Sequence, residues 1–314
     1  VANPDYYRGK PFFERVVMLK VPEAGNRVVT LRSGQAGLIE RVTPKQFNSL
    51  RGVKNVKVAG VVGNENLFVH MNYKTPPFDN IDLRKAIAHA IPYDSIIRDA
   101  YFGDAKKWKG IIPSSYTDFH EPSTIYDENL EKAKQFLAKA GYPDGKGLEQ
   151  FKDAFNLSYI TEKESQLGPV VTLIKSNLAK IGIDVQLDPM PQTQYGDRQL
   201  VKKDLPFAVN DQEKPIAPDA VYGFLLFFVS QEKGGLNTMV NYSNAKVDEL
   251  YAQALIEGDA AKRTAQAAEV QEILANEVAW IPVLEWKTQW AFNDKIKGIK
   301  WHPDNSIRWY DLSK

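Results

Sequence analysis

The sequence predicts an α/β fold, with a sheet covered by helices. Amphipathic helical stretches alternate with single short strand-like runs, and one helix hands over directly to a strand at Ile181-Gly182-Ile183. No internal repeat or low-complexity linker breaks the pattern. In chain order, residues 13–21 and 27–33 have strand composition, separated by turn residues from Pro22 to Asn26. Residues 67–73 alternate apolar and polar, and Pro76-Pro77 forces the chain out of any ladder. Asp79 or Asn80 can cap a helix whose face is Leu83, Ile87, Ala90 and Ile91. Pro92 interrupts that helix before Ile96-Ile97. Asp127 is positioned to cap a second helix through Leu130, Ala133, Leu137 and Ala140, stopped by Gly141 and Pro143. After a strand at 157–160, a third helix carries Leu167, Val170, Val171, Ile174, Leu178 and Ile181 into an alternating strand at 183–187. Residues 205–209 read as another strand. Helices capped at Asn244 and Asp259 follow, and runs at 280–284 and 289–292 are the last strands.

Composition sets the limits. The 314 residues are 43% hydrophobic and 25% charged, enough to bury a substantial core and to make two domains the prior. Forty Lys and Arg against 39 Asp and Glu leave a net charge of +1, so no global field recruits nucleic acid or an anionic membrane. The absence of cysteine excludes disulfides, thiolate metal sites and cysteine nucleophiles, and fits export weakly. The longest apolar run, 221–229, is far too short to span a bilayer. The opening Val1-Ala-Asn-Pro reads as the start of a processed piece or fragment of a longer protein.

Enzyme motifs are missing. His70, His89, His120 and His302 are scattered without partners at metal-ligand spacing. No nucleophile elbow or nucleotide loop occurs, and Gly34-x-x-Gly37 lacks a third glycine. The expectation is a protein that is not an enzyme and carries no cofactor or metal.

Three segments together resemble family-five extracellular solute-binding proteins, the dipeptide and oligopeptide receptors of ABC importers. MNYKTPPFDNIDLRKAIAHAI (71–91) is similar to the family's Asn-ended strand, Pro-Phe turn and Arg-containing helix. YDENLEKAKQFLAKAGYPDGKG (126–147) is close to its Tyr-Asp…Ala-Gly-Tyr-Pro-Asp-Gly signature, and IKSNLAKIGIDVQL (174–187) to its helix–strand unit. Weaker echoes open the chain and recur at 241–254 and 263–283. The bland physical reading of these segments is that they mark the fold: a stiff turn with Phe78 as core anchor, Arg84 as a surface or lobe-edge cation, and Ala-Gly-Tyr-Pro as a helix stop.

The resemblance implies a two-lobe periplasmic-binding-protein-like α/β fold of the class with large lobes, here mainly the second lobe plus parts of the first. Residues 1–65 would close the first lobe, 66–282 form the second, and 283–314 return to the first. It further implies a monomeric receptor in the periplasm or outside the cell, associated with the membrane through its transporter. Such a receptor binds a peptide, or another small solute such as an oligosaccharide, opine or nickel chelate, and docks on the importer's membrane subunits. A truncated lobe acting as an interaction module is the remaining alternative. By the same resemblance Asp211, just after the strand at 205–209, matches the acid that pairs with a peptide's α-ammonium, with Asp219 as its rival. Lys163, between Glu162 and Glu164, is the matching cation for a carboxylate. Tyr222, Phe224 and Asn237 fall where the family lines its pocket, and Trp108, among Lys106, Lys107 and Lys109, could stack on a ligand.

Overall fold

The computed structural model describes residues 2–211, 217–236 and 240–314. In chain order its elements are α1 (Ala24–Arg32), β1 (Leu38–Glu40), α2 (Pro44–Ser49), β2 (Val56–Met71), α3 (Ile81–Ala90), α4 (Tyr93–Ser95), β3 (Ala105–Lys107), α5 (Leu130–Lys139), β4 (Asn156–Ile160), α6 (Glu164–Ala179), β5 (Gln186–Met190), α7 (Gln192–Gly196), β6 (Phe207–Asp211), α8 (Ala220–Phe227), α9 (Ala245–Ile256), α10 (Ala260–Asn276) and β7 (Ile281–Asn293). The hydrogen-bonded strand order is β1-β7-β2-β6-β4-β5, with β3 added on β7. The chain divides into two compact units, Val1–Gly63 with Lys287–Lys314, and Asn64–Trp286. Only β2 and β7 among the described elements continue from one unit into the other.

In the first unit, β1 pairs antiparallel with the end of β7, Leu38 opposite Phe292. Helix α1 packs Val28 and Leu31 against Ile39, Leu50 and Ala291, and a capping box between Thr43 and Gln46 starts α2. Two expected strands are corrected here. Residues 27–33 belong mostly to α1, because the i, i+3 pair Val28 and Leu31 finds a core, and that burial outweighs the weak β preference of the Val-Val-Thr run. Residues 13–21 form no regular strand, and Val17, Met18 and Leu19 lie exposed. The Gly34-x-x-Gly37 step therefore follows a helix.

The second unit is a sheet with helices on both faces. Strand β6 pairs antiparallel with β2, Val209 opposite Val69, and parallel with β4, which pairs parallel with β5. Side chains alternate across such strands. Leu67, Val69, Met71, Phe207 and Val209 meet the apolar faces of α3, α5 and α6 on one side, and Phe68 meets Trp108, Trp280 and the helices α8 to α10 on the other. Asn80 caps α3, Asn244 caps α9 and Asp259 caps α10, whereas α5 starts two residues later than expected, capped by Asn129 rather than Asp127. The apolar run at 221–229 builds the buried helix α8. The two expected terminal strands are one continuous β7, and β5 begins at Gln186 and contains Pro189, tolerable because β5 ends the strand order. Among the described residues no helix is long and apolar enough to cross a membrane.

The quoted motifs prove to be packing devices. Phe78, after the cis Pro76-Pro77 peptide, is wholly buried against Phe155 and Phe207. Arg84 is not a surface cation: it is 3% exposed, lies 3.9 Å from the Tyr73 ring centroid, and donates to the carbonyls of Phe78, Asp79 and Glu277. The Tyr-Pro-Asp-Gly loop and the Ile-Gly-Ile turn touch backbone to backbone. A Cβ on Gly145 would lie 1.9 Å from the Gly182 carbonyl oxygen, and one on Gly182 would lie 2.1 Å from that of Asp144, with both glycines at positive φ. Gly182→Ala is therefore expected to cost about 2–4 kcal/mol, from left-handed strain plus a clash with rigid backbone. Urea unfolding at constant m-value tests this, and a loss under about 0.5 kcal/mol would show that the two turns can separate freely.

Candidate functional site

The parallel pairing of β4 with β6 sets two strand ends side by side, the place where open α/β sheets bind ligands. Asp211 is the last residue of β6. Ile160 ends β4, a short turn follows, and Lys163 stands at the N-cap of α6. These two sequence-distant residues form an ion pair through Asp211 Oδ1. The Asp211 side chain is 2% exposed and that of Lys163 27%, so the acid is buried and the cation sits at the rim. The second oxygen, Oδ2, is buried without a hydrogen-bond partner among the described residues. The flanking acids face elsewhere: Glu162 accepts from the Gln192 backbone N–H at 2.9 Å, and Glu164 from the Tyr159 hydroxyl.

Sequence reasoning missed Tyr101, which lies close enough to Asp211 and Glu65 to feel their charges. The Tyr101 hydroxyl accepts from Gln166 at 3.3 Å, and its ring stacks on Trp286 with centroids 5.7 Å apart. Burial pushes the Tyr101 phenol far above its ordinary range, and the charges of Asp211 and Glu65 add to that. Glu65, 8% exposed, lies within the Asn64-Glu65-Asn66 triplet of β2. That triplet was the available signal: three consecutive polar residues inside a long strand.

One position earlier, β6 presents Asn210 to the opposite face. Its amide engages His70 Nδ1, and its oxygen accepts from Tyr195 at 2.6 Å and Gln199 at 3.2 Å. His70 is wholly buried, and burial lowers its pKa from 6.5 to about 3, so the ring is neutral. The network holds β6 in place, so the backbone that carries Asp211 is fixed from behind.

The other expected residues lie apart from the pair. Asp219 caps α8, accepting from the Tyr222 N–H at 3.0 Å, and both its oxygens accept from Arg263 Nη2 at 2.9 and 2.8 Å. Tyr222 is half-buried in the first turn of α8. Phe224 is wholly buried in the core. Trp108 is not on a cationic loop surface: it is 1% exposed, donates to the Ile112 carbonyl at 2.8 Å, and packs on Trp280 and Phe68. Its lysine neighbours pair with acids, Lys106 with the buried Glu285 and Lys107 with Asp127. Asn237 lies outside the described residues. Among the described residues no three His, Asp or Glu side chains cluster so as to hold a metal.

The fold and its strand ends are thus those of an open α/β unit that carries a buried ion pair. The chain belongs to the bacterial extracellular solute-binding proteins, family 5, whose middle region matches residues 1–235. It is 25% identical over 305 residues to the probable D,D-dipeptide-binding periplasmic protein DdpA of Escherichia coli K12, covering 96% of this chain and 57% of that protein. It is 25% identical over 319 residues to heme-binding protein A of Haemophilus influenzae, covering 100% of this chain and 56% of that one. The chain thus spans little more than half the length of these relatives. Among solved structures, the dipeptide-binding protein of Pseudoalteromonas sp. SM9913 in complex with Met-Leu superposes with a TM-score of 0.83 at 20% identity, over 99% of this chain and 60% of that one. That likeness shows the periplasmic-binding-protein fold.

The buried neutral His70 makes stability acid-sensitive. Its folded pKa lies below that of the unfolded chain, so between pH 6.5 and about 3 the unfolded state holds more protons and stability falls as pH drops. His70→Gln is expected to flatten the slope of unfolding free energy in that window by up to about 1.4 kcal/mol per pH unit. Urea midpoints at pH 6.5, 5.5 and 4.5 measure it, and an unchanged slope would show that other groups govern the acid response.

Proposed function

We propose that this chain is the solute-gripping portion of an extracytoplasmic receptor that feeds an ABC importer, and that its solute is a di- or oligopeptide. The observation that carries this reading is the buried Asp211 paired with Lys163 at the carboxyl ends of β4 and β6. In this reading Asp211 accepts the ligand's α-ammonium in a charge-assisted bond of about 1.5–3 kcal/mol, and Lys163 meets its carboxylate. The domain reading is carried with it: residues 66–282 act as one lobe, while 1–65 and 283–314 belong to another. Binding, not bond cleavage, is the activity, with closure favoured only as far as the ligand prefers the closed state. An affinity near micromolar, about −8 kcal/mol, suits capture followed by release. The receptor works as a monomer in the periplasm or at the outer face of the cell and hands its cargo to the importer's membrane subunits. Tyr222 and Asn237 would line the pocket. Asp219, engaged by Arg263 and the start of α8, would serve the fold instead.

A second reading is a non-peptide solute on the same fold. It is favoured by the relative called heme-binding protein A, which matches at the same identity as the dipeptide-binding one.

Calorimetry with a pool of di- and tripeptides distinguishes the two. Peptide heats are expected for the wild-type protein and a loss of at least tenfold in affinity for Asp211→Ala, while Asp219→Ala should lower stability by about 1–2 kcal/mol and leave affinity unchanged. Binding of heme but not of peptides would favour the second reading, and hydrolysis of the bound peptide would defeat both.

A further inference from the structure

Lys163 stands where physical chemistry disfavours it. It occupies the N-cap of the sixteen-residue helix α6, has no side-chain capping bond, and adds positive charge to the positive end of a helix dipole. Its ion-pair partner among the described residues is Asp211. A buried acid and a poorly placed cation therefore satisfy each other, while Asp211 Oδ2 stays buried and unbonded among the described residues.

We propose that Lys163 is an internal stand-in for the ligand's amino group: a latch that must be displaced from Asp211 for a ligand to bind, and that thereby selects short zwitterions. This rests on the assignment of Asp211 as the ammonium site. A ligand carrying only an ammonium replaces one Asp211 ion pair with another, which gains little, and strands Lys163 at the helix N-terminus. A zwitterion replaces one pair with two, because the released Lys163 takes its carboxylate. The flexible four-carbon stem allows the ammonium to retract by several ångströms. At about 3.5 Å per extended residue, that reach matches the termini of a ligand no longer than about two residues.

The latch makes a prediction that a simple carboxylate clamp does not. For the wild-type protein, the dipeptide alanyl-leucine should bind about tenfold or more tighter than its C-terminal amide. In Lys163→Met there is no latch to break, so the amide should bind more tightly than it does to wild type, by roughly tenfold, and the preference for the free acid should vanish. Lys163→Arg should keep the preference, and Asp211→Asn should weaken both ligands. Calorimetry of the four proteins with both ligands, after matching their thermal unfolding, reads this out. If Lys163→Met abolishes the acid preference but leaves amide affinity unchanged, Lys163 is a clamp and not a latch. If it weakens both ligands equally, its role is structural and the inference falls, with the Asp211 assignment intact. If the wild-type protein binds neither ligand and Asp211→Asn changes nothing, the assignment of Asp211 falls, and the latch falls with it. Independently of any ligand, the Lys163 ammonium should give a distinct ¹⁵N signal of a held ion pair, lost in Asp211→Asn; its absence in the wild-type protein would also overturn the latch.

Discussion

A carboxylate almost wholly removed from water demands a counter-charge, and the requirement at Asp211 explains much of the local architecture. Parallel pairing brings the ends of β4 and β6 level, with Leu157 opposite Phe207 and Ser158 opposite Ala208. The turn that leaves β4 then delivers a lysine within reach, at the expense of an unfavourable helix start. On the reverse side of β6, the pleat aims Asn210 into a neutral network with His70, Tyr195 and Gln199. Charge is handled on one face and uncharged anchoring on the other, and a shift of one residue in register would exchange the two roles.

Most of the helices were legible because their signals are local. Three- and four-residue spacing and the caps at Asn80, Asn244 and Asp259 mark α3, α9 and α10 where the structure has them. The failures have equally physical causes. The Val-Val-Thr run of α1 has β-branched composition, but only tertiary burial decides which period it serves. The cluster of lysines around Trp108 suggested an exposed loop, yet Lys106 and Lys107 are each paired with an acid while the indole is buried in the core. Asp211 and Lys163 could each be singled out through the family resemblance. Their mutual contact could not, because it joins residues 48 apart through a strand pairing that periodicity does not specify.

The segments that identify the family owe their character to packing more than to ligand chemistry. Gly145 and Gly182 allow two turns to meet where any side chain would collide, and Arg84 gathers three main-chain carbonyls beneath the Tyr73 ring. Such residues fix a scaffold without touching the groups at the strand ends, and relatives at the same identity carry names as unlike as dipeptide-binding and heme-binding protein.

Pro189 gives the outer strand of the second unit a further property. Lacking an amide hydrogen, it breaks the row of donors that β5 would otherwise offer along the rim of the sheet. A stray extended chain, whether a neighbour's unfolded segment or a passing fragment, finds no continuous template there on which to zip up. The rim is blunted against unwanted strand addition, which lowers the risk that it seeds aggregation.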